Sequence, residues 1–146
     1  GIIGLGKGGA LAGRFDFNFS DCPDLAQTVA TVVAALQIPS IFTGLHTLRI
    51  KETDRSSALK IELEKLGTEV DIISDDVIRI VPAPLVKTPH PIATYEDHRM
   101  AMAFAIFAMS NAVDYIDIEH PEVVKKSYPD FWNDLKKVGF LIEETN

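Results

Sequence analysis

The chain has 146 residues, 47% of them hydrophobic and 24% charged, with a net charge of −7. That length buries a core without staples, and an acidic balance with no basic stripe argues against nucleic acid as the main partner, though not against small anions. The single cysteine, Cys22, excludes an internal disulfide and fits a cytoplasmic setting; no apolar run reaches the roughly 18–20 residues of a membrane span, and residues 1–10 lack a signal-peptide pattern.

Residues 1–13 are Gly-rich and read as a linker or the truncated edge of a strand; "GLGKGG" lacks the Lys-Ser/Thr ending of a phosphate loop. Residues 15–19, "FDFNF", alternate strictly and predict a strand. Pro23 follows the turn formers Ser20 and Asp21 and opens a helix over 24–36 that is apolar nearly all round, the pattern of a buried helix. A short strand over 40–43 leads to a charged segment over 48–55. An amphipathic helix over 54–66 stops at Gly67. Residues 69–74 and 77–81 predict a hairpin across Asp75-Asp76, and the proline-rich stretch 82–91 an extended connection. A second cycle follows: a strand over 92–95, an apolar helix over 97–109, a strand over 114–118, an amphipathic helix over 129–138 and a strand over 140–143.

The two cycles match. Gly139 follows Gly67 by 72 residues and Asp97 follows Asp24 by 73, with "ELEKLGTEVDII" over "DLKKVGFLIEET". This period exceeds the usual solenoid repeat. It predicts an α/β fold of two repeated β-α-β-α-β units, about 14–81 and 92–146, each with a buried inner helix and an amphipathic outer helix. Together they form part of one domain over 14–146.

Polar clusters fall at equivalent places in both units. Asp24 opens the first inner helix and Asp97-His98-Arg99 the second. Asp24 and Asp97 suit helix caps. Arg99 at a helix N-terminus opposes the dipole, which points to an anionic ligand there. Arg49 and Lys51-Glu52-Thr53-Asp54-Arg55 precede the first outer helix, and Lys125-Lys126 the second. On composition alone, 51–55 also suits a solvated loop with Thr53 or Asp54 as cap. His46, His90 and His120 show no metal-ligand spacing with one another or with Cys22, so no metal is expected. Phe131 and Trp132 read as packing residues.

Four segments, in order, resemble the 5-enolpyruvylshikimate-3-phosphate (EPSP) synthase family over roughly residues 15–140: "DCPDLAQT", "LRIKETDRSSALKIELEKLG", "YEDHRMAMAFA" and "KSYPDFW". The resemblance implies the enolpyruvyl transferase-like fold and a C-terminal portion of it. The activity implied is transfer of enolpyruvyl from phosphoenolpyruvate to the 5-hydroxyl of shikimate 3-phosphate, with release of phosphate and without metal or organic cofactor. By the same resemblance Asp24 is the base on the hydroxyl, Lys51 relays its proton and Glu52 exchanges the proton at C3. Arg55, Arg99 and Lys126 hold the phosphoenolpyruvate anion, with His98 in support. Thr47 stands where many members carry Asn against the shikimate phosphate. The partner implied is an N-terminal domain of the same enzyme, and a cut edge near residues 1–13 makes a non-native dimer possible. Two rival readings are the related UDP-N-acetylglucosamine enolpyruvyl transferase, against which the Lys-Glu-Thr-Asp-Arg string argues, and a non-catalytic anion-binding module.

Overall fold

A computed structural model describes residues 13–145, so the linker or cut edge expected over 1–13 lies outside the described residues apart from Gly13. The four strands expected over residues 15–81 form. Strands β1 (Phe15–Asn18), β2 (Ser40–Thr43), β3 (Glu69–Ile72) and β4 (Ile78–Val81) make one sheet in the order β1-β2-β4-β3. β1 runs parallel to β2, and the other two pairings are antiparallel. Phe42, Ile78 and Ile80 turn to the same side and are buried with Phe19, Val70 and the inner helices. Burying each such side chain contributes about 1.5–3 kcal/mol.

The helices are shorter than the apolar patterns. Residues 24–36 divide into a 3-10 turn, Pro23–Leu25, and helix α1 (Ala26–Ala35). Pro23 sits at the start, and the Leu25 N–H donates to Cys22 O at 3.0 Å, so the first turn is wound tightly. Helix α2 spans Arg55–Lys65 and α4 Phe131–Lys137. α3 spans His98–Phe104 and tightens into 3-10 turns over Ala105–Met109, a common way to satisfy terminal carbonyls. α1 packs against α3, α2 and β4, so the two inner helices meet at the centre.

The repeat is visible in how the outer helices end. Gly67 and Gly139 both take positive φ. After α2 the Thr68 N–H reaches Leu63 O at 3.1 Å, and after α4 the Phe140 N–H reaches Leu135 O at 3.1 Å. Both are Schellman ends.

Three expected strands of the second unit do not form. Of 92–95 and 114–118 only a parallel bridge between Ile92 and Ile118 exists, and 140–143 is unpaired, with Leu141 98% exposed. A strand persists only beside a ladder partner. In the first unit β4 joins β2 to β3; among the described residues nothing stands in β4's place in the second. Among the described residues no helix is long and apolar enough to cross a membrane.

Two details steer the chain into the polar centre. Asn18 Oδ1 accepts from the Ser20 N–H at 2.9 Å and the Ser20 hydroxyl at 2.6 Å, ending β1 in a side-chain turn. Gly44, at φ +73°, passes over that turn: a Cβ there would lie 2.3 Å from Asn18 Oδ1 and 2.5 Å from Ser20 N. Gly44→Ala is expected to destabilise the fold by about 1–3 kcal/mol, since a backbone atom must give way. Urea unfolding of the variant checks this, and a change under about 0.5 kcal/mol would contradict it.

Candidate active site

Beyond Gly44 the chain makes a 3-10 turn over His46–Ile50, which carries Thr47, and then the loop with Lys51 and Glu52. Asp76, at the hairpin tip, accepts from the His46 N–H at 3.3 Å and fastens this approach. Arg49 bridges Asp75 of the hairpin to Asp54. Asp54 caps α2, accepting from the Ser57 N–H at 3.2 Å. The cap fixes where α2 begins, and Arg55 is its first residue.

Arg55 is the hub. Its side chain is 1% exposed, although residues 51–57 around it are all polar. Nε donates to Asp97 Oδ2 at 2.8 Å and Nη2 to Asp97 Oδ1 at 3.3 Å, a two-pronged grip. Nη1 meets Asp24 Oδ1 at 2.9 Å, and Nη2 meets Glu52 Oε2 at 2.6 Å. Asp97 is fully buried and also caps α3, accepting from the Arg99 N–H at 2.9 Å. It therefore fills the cap role and pairs with Arg55 as well.

Lys51 and Arg99 complete the cluster from the open side. Lys51 Nζ lies 3.5 Å from Asp24 Oδ1, and Arg99 Nη2 3.3 Å from Asp24 Oδ2. Three carboxylates thus face three cations, and the cluster is formally neutral. Burial by itself would raise the Asp24 carboxyl, but Arg99, Lys51 and Arg55 outweigh it and hold Asp24 below the ordinary carboxylate range. The folded pKa is depressed, so the stabilisation is complete above the unfolded Asp value of about 3.9 and is lost as pH falls through the lower folded value. Carbon-detected titration is expected to find Asp24 titrating below ordinary aspartates, and Arg99→Gln or Lys51→Met to move it upward. An unmoved Asp24 in both variants would contradict this. Because Asp24 is 43% exposed, salt is expected to weaken the effect.

Of the residues expected from the sequence, Asp24, Lys51, Glu52, Arg55 and Arg99 are joined by direct ion pairs. Lys126 comes to the same end of α3, its Nζ bonding Glu96 O at 2.6 Å, one residue from Asp97. His98 starts α3 with a buried Nδ1 that has no partner, and Thr47 has a buried Oγ1 that has none. Arg55 differs from the open anion-binding cation the sequence leads one to expect, since its guanidinium is already committed to three carboxylates. Of these three partners Asp24 and Glu52 face solvent, whereas Asp97 is buried. Gln27 was not singled out in the sequence: it is fully buried, its Nε2 donates to Asp97 Oδ2 at 3.3 Å, and its Oε1 is unpaired. Its one signal was a polar residue one turn after Asp24 on an apolar helix.

An α/β fold whose helix starts converge on a buried guanidinium, ringed by carboxylates and further cations, has the clustered, charge-coupled groups that mark a candidate active site. The family model for EPSP synthase (3-phosphoshikimate 1-carboxyvinyltransferase) matches residues 9–135, and the chain belongs to that family. A 3-phosphoshikimate 1-carboxyvinyltransferase of Bacteroides fragilis (strain YCH46) is 48% identical over 142 residues, 97% of this chain and 34% of the relative. One from Haemophilus influenzae (strain PittGG) is 39% identical, over 84% of this chain and 28% of the relative. A solved EPSP synthase from Acinetobacter baumannii superposes with a TM-score of 0.73 at 25% identity, over 85% of this chain and 29% of that one. The chain spans about a third of the length of the curated relatives it matches.

Proposed function

We propose that this chain is the part of a carboxyvinyl transferase that carries its proton-transferring carboxylates. The whole enzyme would move enolpyruvyl from phosphoenolpyruvate to the 5-hydroxyl of shikimate 3-phosphate and release phosphate. One observation supports the reading above the others: Asp24 and Glu52 share one buried guanidinium but have different surroundings. Asp24 faces three cations, whereas Glu52 pairs with Arg55 alone among the described residues. Two carboxylates in unlike environments suit opposite proton roles.

In this reading Asp24 takes the proton from the attacking hydroxyl, with Lys51 beside it, and Glu52 exchanges the proton at C3. Arg99, Lys126 and Arg55 hold the carboxylate and phosphate of phosphoenolpyruvate, with His98 in support, and Thr47 faces the shikimate phosphate. Substrate binding also tunes the base. An anion that draws Arg99 and Lys51 to itself removes what depresses Asp24, so Asp24 becomes more basic as the substrate arrives. An N-terminal domain of the same enzyme supplies the facing half of the site. The unpaired Cys22 suits a cytosolic setting.

The test is phosphate release by the full-length protein from phosphoenolpyruvate. Release is expected with shikimate 3-phosphate and not with UDP-N-acetylglucosamine. Release with the latter alone, or with neither, would overturn the reading.

A further inference from the structure

We propose that Glu62 is a positioning residue: from inside α2 it holds the turn at Tyr95–Glu96, and so sets where Asp97 meets Arg55. Its catalytic consequence rests on the transferase reading, whereas its geometry does not.

The Glu62 side chain is 1% exposed. A carboxylate withdrawn this far from water is costly unless its oxygens are bonded. Its bonds run mostly across to the other unit. The Ala93 N–H donates to Oε2 at 3.1 Å and the Tyr95 hydroxyl to Oε1 at 2.7 Å; Lys65 Nζ adds an ion pair at 2.6 Å. Leu59 and Leu63 beside it on α2 are apolar and buried, so an apolar residue at 62 would serve packing alone.

Arg55 and Glu62 are seven residues apart, two turns of helix, and lie on one face. That face grips the second unit twice: Arg55 on Asp97, and Glu62 on Ala93 and Tyr95. The chain passes from one grip to the other through Tyr95 and Glu96, with φ of 55° and 57°. Non-glycine residues adopt this conformation only where the surroundings over-determine it. Burial and the bond to Glu62 raise the Tyr95 phenol above its ordinary pKa, so it stays a donor throughout the working pH range. A relaxed turn would carry Asp97 away from Arg55 and the Glu96 carbonyl away from Lys126.

The test is solvent exchange of the Arg55 Nε–H, read by NMR in Glu62→Gln and Tyr95→Phe. Tyr95→Phe keeps both the buried carboxylate and the ring, and so decides the matter if Glu62→Gln unfolds. The inference predicts Arg55 Nε–H exchange about tenfold faster, the size of one lost hydrogen bond, with the amides of Ile78 and Ile80 as protected as before. Unchanged Arg55 exchange in Tyr95→Phe, or a loss shared equally with those sheet amides, would overturn it. In the full-length enzyme Tyr95→Phe is expected to lower kcat about tenfold, leaving KM for phosphoenolpyruvate near wild type, and unchanged kcat would overturn the catalytic consequence. A wild-type protein without turnover would instead overturn the transferase reading, while the exchange result still decides the positioning role.

Discussion

Asp24→Asn in the full-length enzyme is expected to lower phosphate release by about 10²- to 10⁴-fold, the range for losing a positioned acid or base. Asn keeps the shape and one acceptor oxygen, so Arg55 retains a neighbour at Nη1, but Asn takes no proton. Asp24 is partly exposed, and the buried Arg55 guanidinium keeps Asp97 and Glu52 as charged partners when it is replaced; the fold is expected to persist, separating lost chemistry from lost protein. Glu52→Gln is expected to fall in the same range, because it too keeps its shape on the Arg55 fork. Lys137→Ala, whose partner Asp134 lies on the same outer helix, is expected to leave turnover unchanged. A loss under about tenfold in both carboxylate variants would remove them from the proton-transfer roles.

Arg55→Met is expected to destabilise the chain by about 3–5 kcal/mol, the cost of breaking a buried ion pair from one side. Asp97 would remain fully buried with only the Gln27 amide and the Arg99 N–H as donors. Arg55→Lys is expected to rescue little, because an ammonium cannot span Asp97, Asp24 and Glu52 as a planar fork does. Arg55→Met combined with Asp97→Leu is expected to recover much of the loss, since the stranded charge is then gone. Urea unfolding measures all three. A cost below about 1 kcal/mol for Arg55→Met would mean that Asp97 finds water or another cation.

The first unit was legible because its signals are local. Period-two phenylalanines mark β1, and Gly67 marks a helix end that needs positive φ, as Gly139 does in the second unit. The string 51–55 and the Asp97-His98-Arg99 start were legible as chemistry, and the structure joins them. Their environment was not legible. Arg55 and Asp97 are 42 residues apart, and each looks solvated in its own segment. Glu62 sits among Leu59, Leu63 and Leu66, which flags a buried charge, but its partners at Ala93 and Tyr95 come from another unit. The strands over 114–118 and 140–143 have suitable residues yet depend on a ladder partner, and pairing is not a property of one segment.

In the proposed reading this chain carries the proton-transferring carboxylates of the reaction but only part of the site. The most direct test measures phosphate release from phosphoenolpyruvate and shikimate 3-phosphate by the full-length protein and by this chain alone, side by side. Release is expected from the full-length protein, and none measurable from the chain. Turnover by the chain alone, or no release by the full-length protein, would contradict it.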